Sequence, residues 1–259
     1  EMCIRDRAVV ACDVGQGDAL VLRAAADTAV VVDAGPDPAR MDDCLDDLGV
    51  TRVALVVLTH FHADHVGGVH GITRGRSVEA ALVTTLDEPA EGVGLVDAWA
   101  AERGVSVDRA VPGDDGAVGD VRWAVLWPER LLRGDGSAPN QASVVLRASV
   151  RGLSVLLTGD IEPAAQRAIA ASNGSALDVD VLKVPHHGSV DQHPHFLDLT
   201  HPAIALVTVG VDNHHGHPDD ELIADLTSRG VTVARTDTDG DIAVTHGPDG
   251  TQVVRRGVW

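Results

Sequence analysis

Tyrosine is absent from the sequence, phenylalanine occurs only twice, and Lys183 is the single lysine. Few aromatic side chains are therefore available as platforms on which nucleic-acid bases could stack. The formal net charge at pH 7 is -19, whereas ordinary nucleic-acid binders carry a basic patch that displaces counterions from phosphates. Any contact with DNA must therefore depend on local arginines, on bound cations or on another domain.

Cysteine is also scarce, and the three cysteines, Cys3, Cys12 and Cys44, are scattered along the chain. Because no C-x-x-C pair occurs, we expect neither a disulfide framework nor a zinc ribbon. No run approaches the roughly 18 unbroken apolar residues of a membrane helix, and no signal-peptide core is present, so we expect no membrane insertion by this chain itself. Residues 1–7 show no helix or strand period and are interpreted as a stray or truncated end, and we expect residues 8–259 to form a single domain.

The most informative segment is a cluster of metal-binding residue types directly after a predicted buried strand, Val53 to Leu58. The cluster consists of His60, His62, Asp64 and His65. Neither packing nor helix capping requires such a density of imidazole and carboxylate, which are the usual ligands of divalent transition metals. We therefore predict a metal site at this strand end, with the first two histidines on one ion and the last two residues on a second ion beside it.

Three later predicted strands, at 153–157, 178–184 and 203–209, also end in residue types that bind metals. The residues are Asp160 after the first strand, His186 and His187 after the second, and His217 after the third. A carboxylate can bridge two cations that lie a few ångströms apart, and Asp160 is predicted to be shared in this way. A lone histidine at a strand end is more often structural, so these assignments depend on the histidine cluster upstream.

Predicted strands group in each half of the sequence, with helices between them and at the ends. This order favours an α/β (α+β) fold in which two mixed sheets pack face to face with helices outside, a four-layer αββα sandwich. Since every predicted ligand lies at a strand end, the site is expected along one edge of the sandwich. Residues 95–103 are predicted to be a helix and residues 131–141 an irregular loop. Residues 236–241 are predicted to be a hairpin turn rather than a calcium loop, because no distal glutamate closes the loop.

The histidine cluster, with Thr59 before it and Gly67-Gly68 after it, resembles the signature of the metallo-β-lactamase superfamily. Four further segments occur in the family's order and narrow the resemblance to the soluble C-terminal domain of ComEC, a family of bacterial DNA-uptake channels. They are 13–19, 157–160, 182–189 and 216–218. The resemblance implies the αββα fold, two divalent metal ions and a phosphodiesterase or nuclease that degrades a DNA strand during competence. It also implies attachment to a membrane channel domain of the same longer protein, on the extracytoplasmic face of the bacterial plasma membrane.

The resemblance further implies a division of ligands between the two ions. The second ion takes Asp64, His65, Asp160 and His217, and the first takes His60, His62 and the shared Asp160. Superfamily enzymes normally supply a third histidine to the first ion, but this sequence has Asn140-Gln141-Ala142-Ser143 at that place. Asn140, Ser143 or water therefore remains as the last ligand. A set of nitrogen and oxygen ligands without cysteine suits Mn²⁺ as well as Zn²⁺.

Catalytic roles are expected for Asp64, His186 and His187. One of the tandem histidines would hold phosphate oxygens or protonate the leaving alkoxide. Five further residues near the motifs are predicted to contact metal or substrate, namely Asp13, Gln16, Asp18, Lys183 and Ser189. Structural alternatives stay open for them: residues 13–18 could form a hairpin turn, Lys183 could be buried and paired, and Ser189 could cap the next helix.

Two other functions remain open from the sequence alone. The same pair of ions could hydrolyse a small ester, a lactone or a phosphocholine group, which would need a closed pocket rather than an open groove. Alternatively, a metal site without catalytic activity could stabilise the domain and dock a channel. Metal-dependent turnover of phosphodiesters distinguishes the non-catalytic module from both kinds of enzyme.

Overall fold

A computed structural model describes residues 7–134, 136–247 and 250–257. The predicted stray end and Cys3 lie outside these residues, apart from Arg7, where the first strand begins. Within the described residues, two mixed β-sheets carry helices on their outer faces. The predicted αββα sandwich is therefore confirmed. Among the described helices, none has the length and apolar character required to span a bilayer.

The first sheet contains nine strands of the described residues. They are β1 (Arg7–Ala11), β2 (Leu20–Arg23), β3 (Thr28–Val32), β4 (Arg52–Leu58), β5 (Ser77–Val78), β6 (Ala80–Val83), β7 (Ser106–Arg109), β15 (Ile242–Gly247) and β16 (Gly250–Arg255). Their order is β16-β15-β1-β2-β3-β4-β6-β7, and β5 pairs with β4. Strands β3, β4, β6 and β7 run parallel to one another, and the other neighbouring pairs in this order are antiparallel.

The second sheet contains seven strands of the described residues. They are β8 (Asp115–Val118), β9 (Val121–Trp127), β10 (Val145–Val150), β11 (Leu153–Leu157), β12 (Val181–Lys183), β13 (Ile204–Val207) and β14 (Thr232–Arg235). Their order is β14-β13-β12-β11-β10-β9-β8. Strands β11 to β14 are parallel, and β8 to β11 are antiparallel.

Helices cover the outer face of each sheet. They are α1 (Pro38–Asp47), α2 (Ala63–Val66), α3 (Val69–Ile72), α4 (Ala90–Arg103), α5 (Ala138–Gln141), α6 (Pro163–Asn173), α7 (Pro194–Thr200), α8 (Asp220–Ser228) and α9 (Thr236–Asp239), with 3₁₀ turns at Gly174–Leu177 and Pro185–Gly188. Helices α1, α3 and α4 pack on the first sheet, and α6, α7 and α8 on the second.

Strand β4 shows why the sequence forms these layers. Its side chains are apolar on both faces: Leu55 and Val57 pack between the two sheets, and Val56 and Leu58 pack against the helices outside. A continuous apolar run is typical of a strand that is buried on both faces of a parallel sheet. The parallel strands β3, β4, β11, β12 and β13 deliver the residues that follow them to one edge of the sandwich, as expected from their common direction.

A disulfide joins Cys12, directly after β1, to Cys44 in α1. The expectation that the cysteines form no disulfide framework did not foresee this single bond. The two cysteines are 32 residues apart and share no short spacing pattern. They meet because α1 packs its buried face on the outer side of the first sheet, where both cysteines belong to the same apolar cluster.

Three local predictions also need correction. Residues 236–241 do not form a hairpin turn, because β14 and β15 belong to different sheets and the short helix α9 connects them. The predicted loop at 131–141 ends in helix α5, for which Ser137 accepts a hydrogen bond from the Asn140 N–H. Helix α4 begins at Ala90 rather than at residue 95. Its first turns contain Gly92, a poor helix former, because the helix packs closely on Phe61: a Cβ atom at residue 92 would lie 1.9 Å from the Phe61 carbonyl oxygen.

Candidate metal centre

The end of β4 is fixed by a buried carboxylate from the neighbouring strand. Asp33 follows β3 and accepts hydrogen bonds from the Thr59 N–H and the Thr59 hydroxyl, both at 2.7 Å. The chain then turns through His60 to His62, which precedes the first residue of α2. Because α2 begins immediately, Asp64 and His65 lie in its first turn, beside the two histidines that precede it.

Four side chains from three strand ends converge on one point. Asp64, His65, Asp160 and His187 each offer one ligand atom, and these atoms lie within 4.8 Å of one another. The Nε2 atoms of His65 and His187 are each 3.2 Å from Oδ2 of Asp160, and Nε2 of His187 is 3.3 Å from Oδ2 of Asp64. Two imidazoles and two carboxylates in this arrangement form a ligand set for one divalent cation.

The two imidazole rings are held from behind by oxygen acceptors. Nδ1 of His65 is 2.8 Å from Oδ2 of Asp33, and Nδ1 of His187 is 2.8 Å from the carbonyl oxygen of Thr208. In a neutral ring these acceptors place the proton on Nδ1 and leave the lone pair on Nε2, as in many metal-binding histidines. Both Nε2 atoms are buried, and neither has a hydrogen-bond partner among the described residues. The residues present therefore fit a metal ion.

The electrostatics of these side chains agree with a cation-binding role. Burial would lower the pKa of His65, but the carboxylates of Asp160 and Asp33 hold that pKa well above its usual value. Burial would also lower the pKa of His187, but the carboxylates of Asp160 and Asp18 hold that pKa well above its usual value. In the absence of a metal, protons on these rings balance the surrounding carboxylates. A divalent cation would supply the same positive charge and release those protons.

His60 and His62 form a second pair of imidazoles beside this group. Nε2 of His60 is 3.0 Å from Nδ1 of His62, and Nδ1 of His60 is 3.3 Å from the Ser143 hydroxyl. Burial, followed by the charge of His65, holds the pKa of His60 well below its usual value, and burial also lowers the pKa of His62. Both rings are therefore neutral near pH 7. They belong to no group of three His, Cys, Asp or Glu ligand atoms within the part of the chain that the structure describes.

Asn140 and Ser143, the two residues predicted as substitutes for the missing histidine, both lie at this pair. Nδ2 of Asn140 donates to Oε1 of Glu162 at 3.0 Å. Its Oδ1 is buried and has no hydrogen-bond partner in the described ranges, and the side chain lies beside His62. The Ser143 hydroxyl accepts a hydrogen bond of 3.2 Å from the Asp160 N–H. Asn140 thus presents a buried amide oxygen beside His62, whereas Ser143 connects His60 to the Asp160 backbone.

His186 and His217 lie on the outer side of the centre. Nε2 of His186 is 3.9 Å from Oδ2 of Asp160, and the ring centres of His186 and His217 are 5.3 Å apart. Burial, then the charges of His186 and His187, lowers the pKa of His217 to about 4. His217 was predicted as a ligand of the second ion, but the structure places it outside the four-residue group. His187 stands in that group instead.

Of the five residues predicted near the motifs, Asp18 and Lys183 lie directly behind the ligands. Oδ1 of Asp18 is 3.2 Å from Nδ1 of His187, and Oδ2 is 2.6 Å from Nζ of Lys183. The other three turn elsewhere: Asp13 pairs with Arg40 at 3.4 Å, Gln16 accepts from the Gly210 N–H at 3.2 Å, and Ser189 accepts from the Asp191 N–H at 3.2 Å.

Asp33, Thr208 and Glu162 support the centre but were not singled out from the sequence. Asp33 directly follows strand β3, and Asp160 comes shortly after β11. Asp33 has a positive φ of 59°, which aspartate tolerates better than most residues. A carboxylate after an apolar strand was a signal that could have found it. The backbone carbonyl of Thr208 contacts His187, and the carboxylate of Glu162 accepts a hydrogen bond from Asn140. No pattern of residue types in the sequence predicts either contact.

A sequence profile of the metallo-β-lactamase superfamily matches residues 12–197. Among curated proteins, the chain is 29% identical over 197 residues to ComE operon protein 3 from Bacillus subtilis, covering 75% of this chain and 25% of that protein. It is 25% identical over 260 residues to the competence protein ComA from Neisseria gonorrhoeae, covering 98% of this chain and 34% of that protein. The chain thus spans about a quarter to a third of the length of these relatives.

Solved structures with the same fold include Zn²⁺-bound PqqB from Methylobacterium extorquens, with a TM-score of 0.55 and 14% identity over 85% of each chain. A diphosphatase of the PhnP family has a TM-score of 0.54 and 14% identity, over 87% of this chain and 94% of that one. CmlA from Streptomyces venezuelae, a diiron β-hydroxylase, has a TM-score of 0.57 and 16% identity, over 96% of this chain and 54% of that one. These likenesses establish the fold, and they include more than one kind of chemistry.

Proposed function

Because this chain belongs to the metallo-β-lactamase superfamily, we propose that it is a metal-dependent phosphodiesterase that degrades a DNA strand during DNA uptake. The chain would use two divalent cations, Mn²⁺ or Zn²⁺. It would act as a module, residues 8–259, of a longer protein with a membrane channel domain, on the extracytoplasmic face of the plasma membrane. The names of two relatives, which are competence proteins or belong to a competence operon, support this context.

The observation that carries the proposal is the convergence of four ligand atoms, from Asp64, His65, Asp160 and His187, within 4.8 Å. The neutral pair His60 and His62 with the buried Oδ1 of Asn140 lies next to it and would hold the other cation. Asp160 would be shared by the two cations. It belongs to the four-residue group, and its backbone N–H is connected to His60 through the Ser143 hydroxyl. Bound divalent cations supply an activated water and neutralise charge on the attacking and leaving oxygens of a phosphodiester.

His186 is the residue best placed to act on the substrate itself. Its side chain is 24% exposed, whereas that of His187 is 2% exposed and faces the ligands. Burial lowers the pKa of His186 despite the nearby charge of Asp160, so the free ring is neutral and its N–H can donate to a phosphate oxygen. An approaching phosphate anion favours protonation of the ring, which can then give a proton to the leaving alkoxide.

The strong negative charge of the chain supports a dependence of DNA binding on the cations. A net charge of -19 repels a polyanion at every surface that lacks a local positive charge. DNA should therefore bind at the metal centre and only weakly elsewhere. Tight binding measured in the presence of a chelator would contradict this proposal and would indicate an arginine patch.

The deciding experiment is to incubate the metal-loaded chain with end-labelled single- and double-stranded DNA. Asp160→Asn should abolish cleavage with the fold retained, because the substitution keeps the size of the side chain and Asp160 lies in the turn after β11, at the edge of the sandwich. Asp180→Asn serves as a control, since the Asp180 carboxylate accepts from the N–H and the hydroxyl of Ser154, at the start of β11 and away from the ligands. Cleavage of small esters without cleavage of DNA would favour the small-ester alternative. Metal binding without any turnover would favour a non-catalytic module.

A further inference from the structure

Lys183 is the single lysine of the sequence, and its side chain is completely buried beside the metal centre. It ends strand β12, two residues before the turn that carries His186 and His187. A buried ammonium group is strongly unfavourable unless it is paired. The groups that pair with Lys183 therefore indicate why the chain keeps a lysine at this position.

The first partner of Lys183 is Asp18, which in turn reaches His187. Nζ of Lys183 is 2.6 Å from Oδ2 of Asp18, and Oδ1 of Asp18 is 3.2 Å from Nδ1 of His187. The Thr208 hydroxyl also donates to Oδ1 of Asp18. Each oxygen of this buried carboxylate is therefore in contact with a partner, and its orientation toward His187 depends on Lys183 together with Thr208.

The second partner of Lys183 is the segment that carries the shared carboxylate. Nζ donates to the Gly159 carbonyl oxygen at 3.1 Å and lies 3.6 Å from Oδ1 of Asp160. One ammonium group thus contacts both the carboxylate behind His187 and the backbone next to Asp160. The two candidate ligands that Lys183 supports, His187 and Asp160, follow different strands, β12 and β11. Among the described residues, no other side chain with a permanent positive charge is paired with both Asp18 and Asp160.

We infer that Lys183 is a positioning residue for the cation: it holds Asp18 behind His187 and holds the Gly159–Asp160 segment, so that both ligands face the same point. The inference rests on the cation-binding part of the proposed function and is independent of the substrate. The charge of Lys183 also repels a cation directly. Since Asp18 lies in contact with it, the pair is neutral overall, and the geometric effect should exceed the repulsion.

The test is to measure the affinity of Mn²⁺ and of Zn²⁺ alone by calorimetry in the parent and in Lys183→Met. Methionine fills similar space but removes the ammonium group from Oδ2 of Asp18, so only Thr208 and His187 still hold this carboxylate, and we expect its position behind His187 to become less fixed. We expect affinity at the four-residue group to fall by about 10- to 100-fold, the usual effect of losing a partner behind a metal ligand. Unchanged affinity would mean that Lys183 is only structural, and tighter binding would mean that its repulsion dominates. Either result overturns the inference.

Arg76 provides a matched control. It is a second buried cation, 8% exposed, and it is paired with Asp42 at 2.7 Å and bonded to the Val50 carbonyl at 3.0 Å, away from the ligands. Arg76→Met should lower stability to urea and leave cation affinity unchanged. A loss of affinity in this variant as large as that in Lys183→Met would show that affinity merely follows stability.

Asp18→Asn and the double variant Asp18→Asn with Lys183→Met complete the cycle. Asp18→Asn alone leaves Lys183 unpaired and should weaken cation binding, whereas the double variant has no unpaired charge and retains an amide oxygen toward His187. We therefore expect the double variant to bind cations more tightly than Lys183→Met, a coupling that independent residues would not show. If Lys183→Met does not fold, the two variants that carry Asp18→Asn still decide, because parent-like affinity in both would overturn the inference. Turnover of phosphodiesters is measured separately, so a failure of the proposed function leaves the affinity result intact.

Discussion

Oδ2 of Asp33 lies 2.8 Å from Nδ1 of His65, and both side chains are fully buried. The carboxylate also accepts two hydrogen bonds from Thr59, so its position is fixed by the end of strand β4. These contacts direct Nε2 of His65 toward Asp160, from whose Oδ2 it lies 3.2 Å away.

Asp33→Asn should therefore lower the affinity of the four-residue group for Mn²⁺ or Zn²⁺ by about 10- to 100-fold. An amide is a weaker acceptor than a carboxylate and can present its NH₂ group to the ring instead. Calorimetric titration with each metal measures the change, with Asp180→Asn as the control. Parent-like affinity would show that Thr59 and the surrounding backbone are sufficient to orient His65.

The tandem histidines should have separable roles. His187→Ala should remove one bound cation, since Nε2 of His187 lies 3.2 Å from Asp160 among the ligands. His186→Ala should retain both cations and lower kcat by about 10²- to 10⁴-fold, the usual range for a lost acid–base group. Metal content measured by elemental analysis, beside single-turnover rates, separates the two. A variant of His187 that keeps both cations would return this residue to an acid–base role.

Asn140→His should create a first cation site with a third imidazole. The carboxylate of Glu162, which now accepts from Asn140 at 3.0 Å, can accept from one ring nitrogen and direct the other toward His62. Because imidazole suits Zn²⁺ better than a neutral oxygen does, the variant should bind Zn²⁺ more tightly, and the ratio of its affinities should shift from Mn²⁺ toward Zn²⁺. Competition titrations with the two metals measure this. Equal affinities in parent and variant would mean that residue 140 does not contact the cation.

Removal of the disulfide should destabilise the fold without requiring any change at the ligands. Cys12 and Cys44 close a loop with a sequence separation of 32, for which the chain-entropy model gives about 3–4 kcal/mol. Cys44→Ser should lower the free energy of unfolding in urea by up to this amount. The parent in reducing agent should show a similar loss. Identical unfolding curves under oxidising and reducing conditions would show that the cysteines are not joined in solution.

The sequence predicted the fold and the segments of the site because both depend on local patterns. Apolar runs such as that of β4 indicate strands, and the dense cluster after it requires no knowledge of tertiary contacts. The positions of His60, His65 and Asp160 at one edge follow from the common direction of parallel strands.

What the sequence did not provide are relations between distant residues. His187 and His217 both follow parallel strands of the second sheet, and only the packed structure brings His187 into the four-residue group of candidate ligands. Likewise, the pairing of Cys12 with Cys44 depends on how α1 lies on the first sheet. The helical turn at Thr236–Asp239 was missed because a change of sheet between β14 and β15 leaves no mark in residue type.

The hydrogen bond from the Thr208 hydroxyl to Asp18 joins residues that are 190 positions apart. A contact of this separation requires the ends of a long segment to meet, and such contacts form slowly during folding. During synthesis, Asp18 emerges well before Thr208, which follows strand β13, so we expect the support behind His187 to be among the last parts to assemble. We therefore expect the histidine cluster at 60–65 to gain its full set of partners only when most of the chain has folded, and cation affinity to report on the completion of folding.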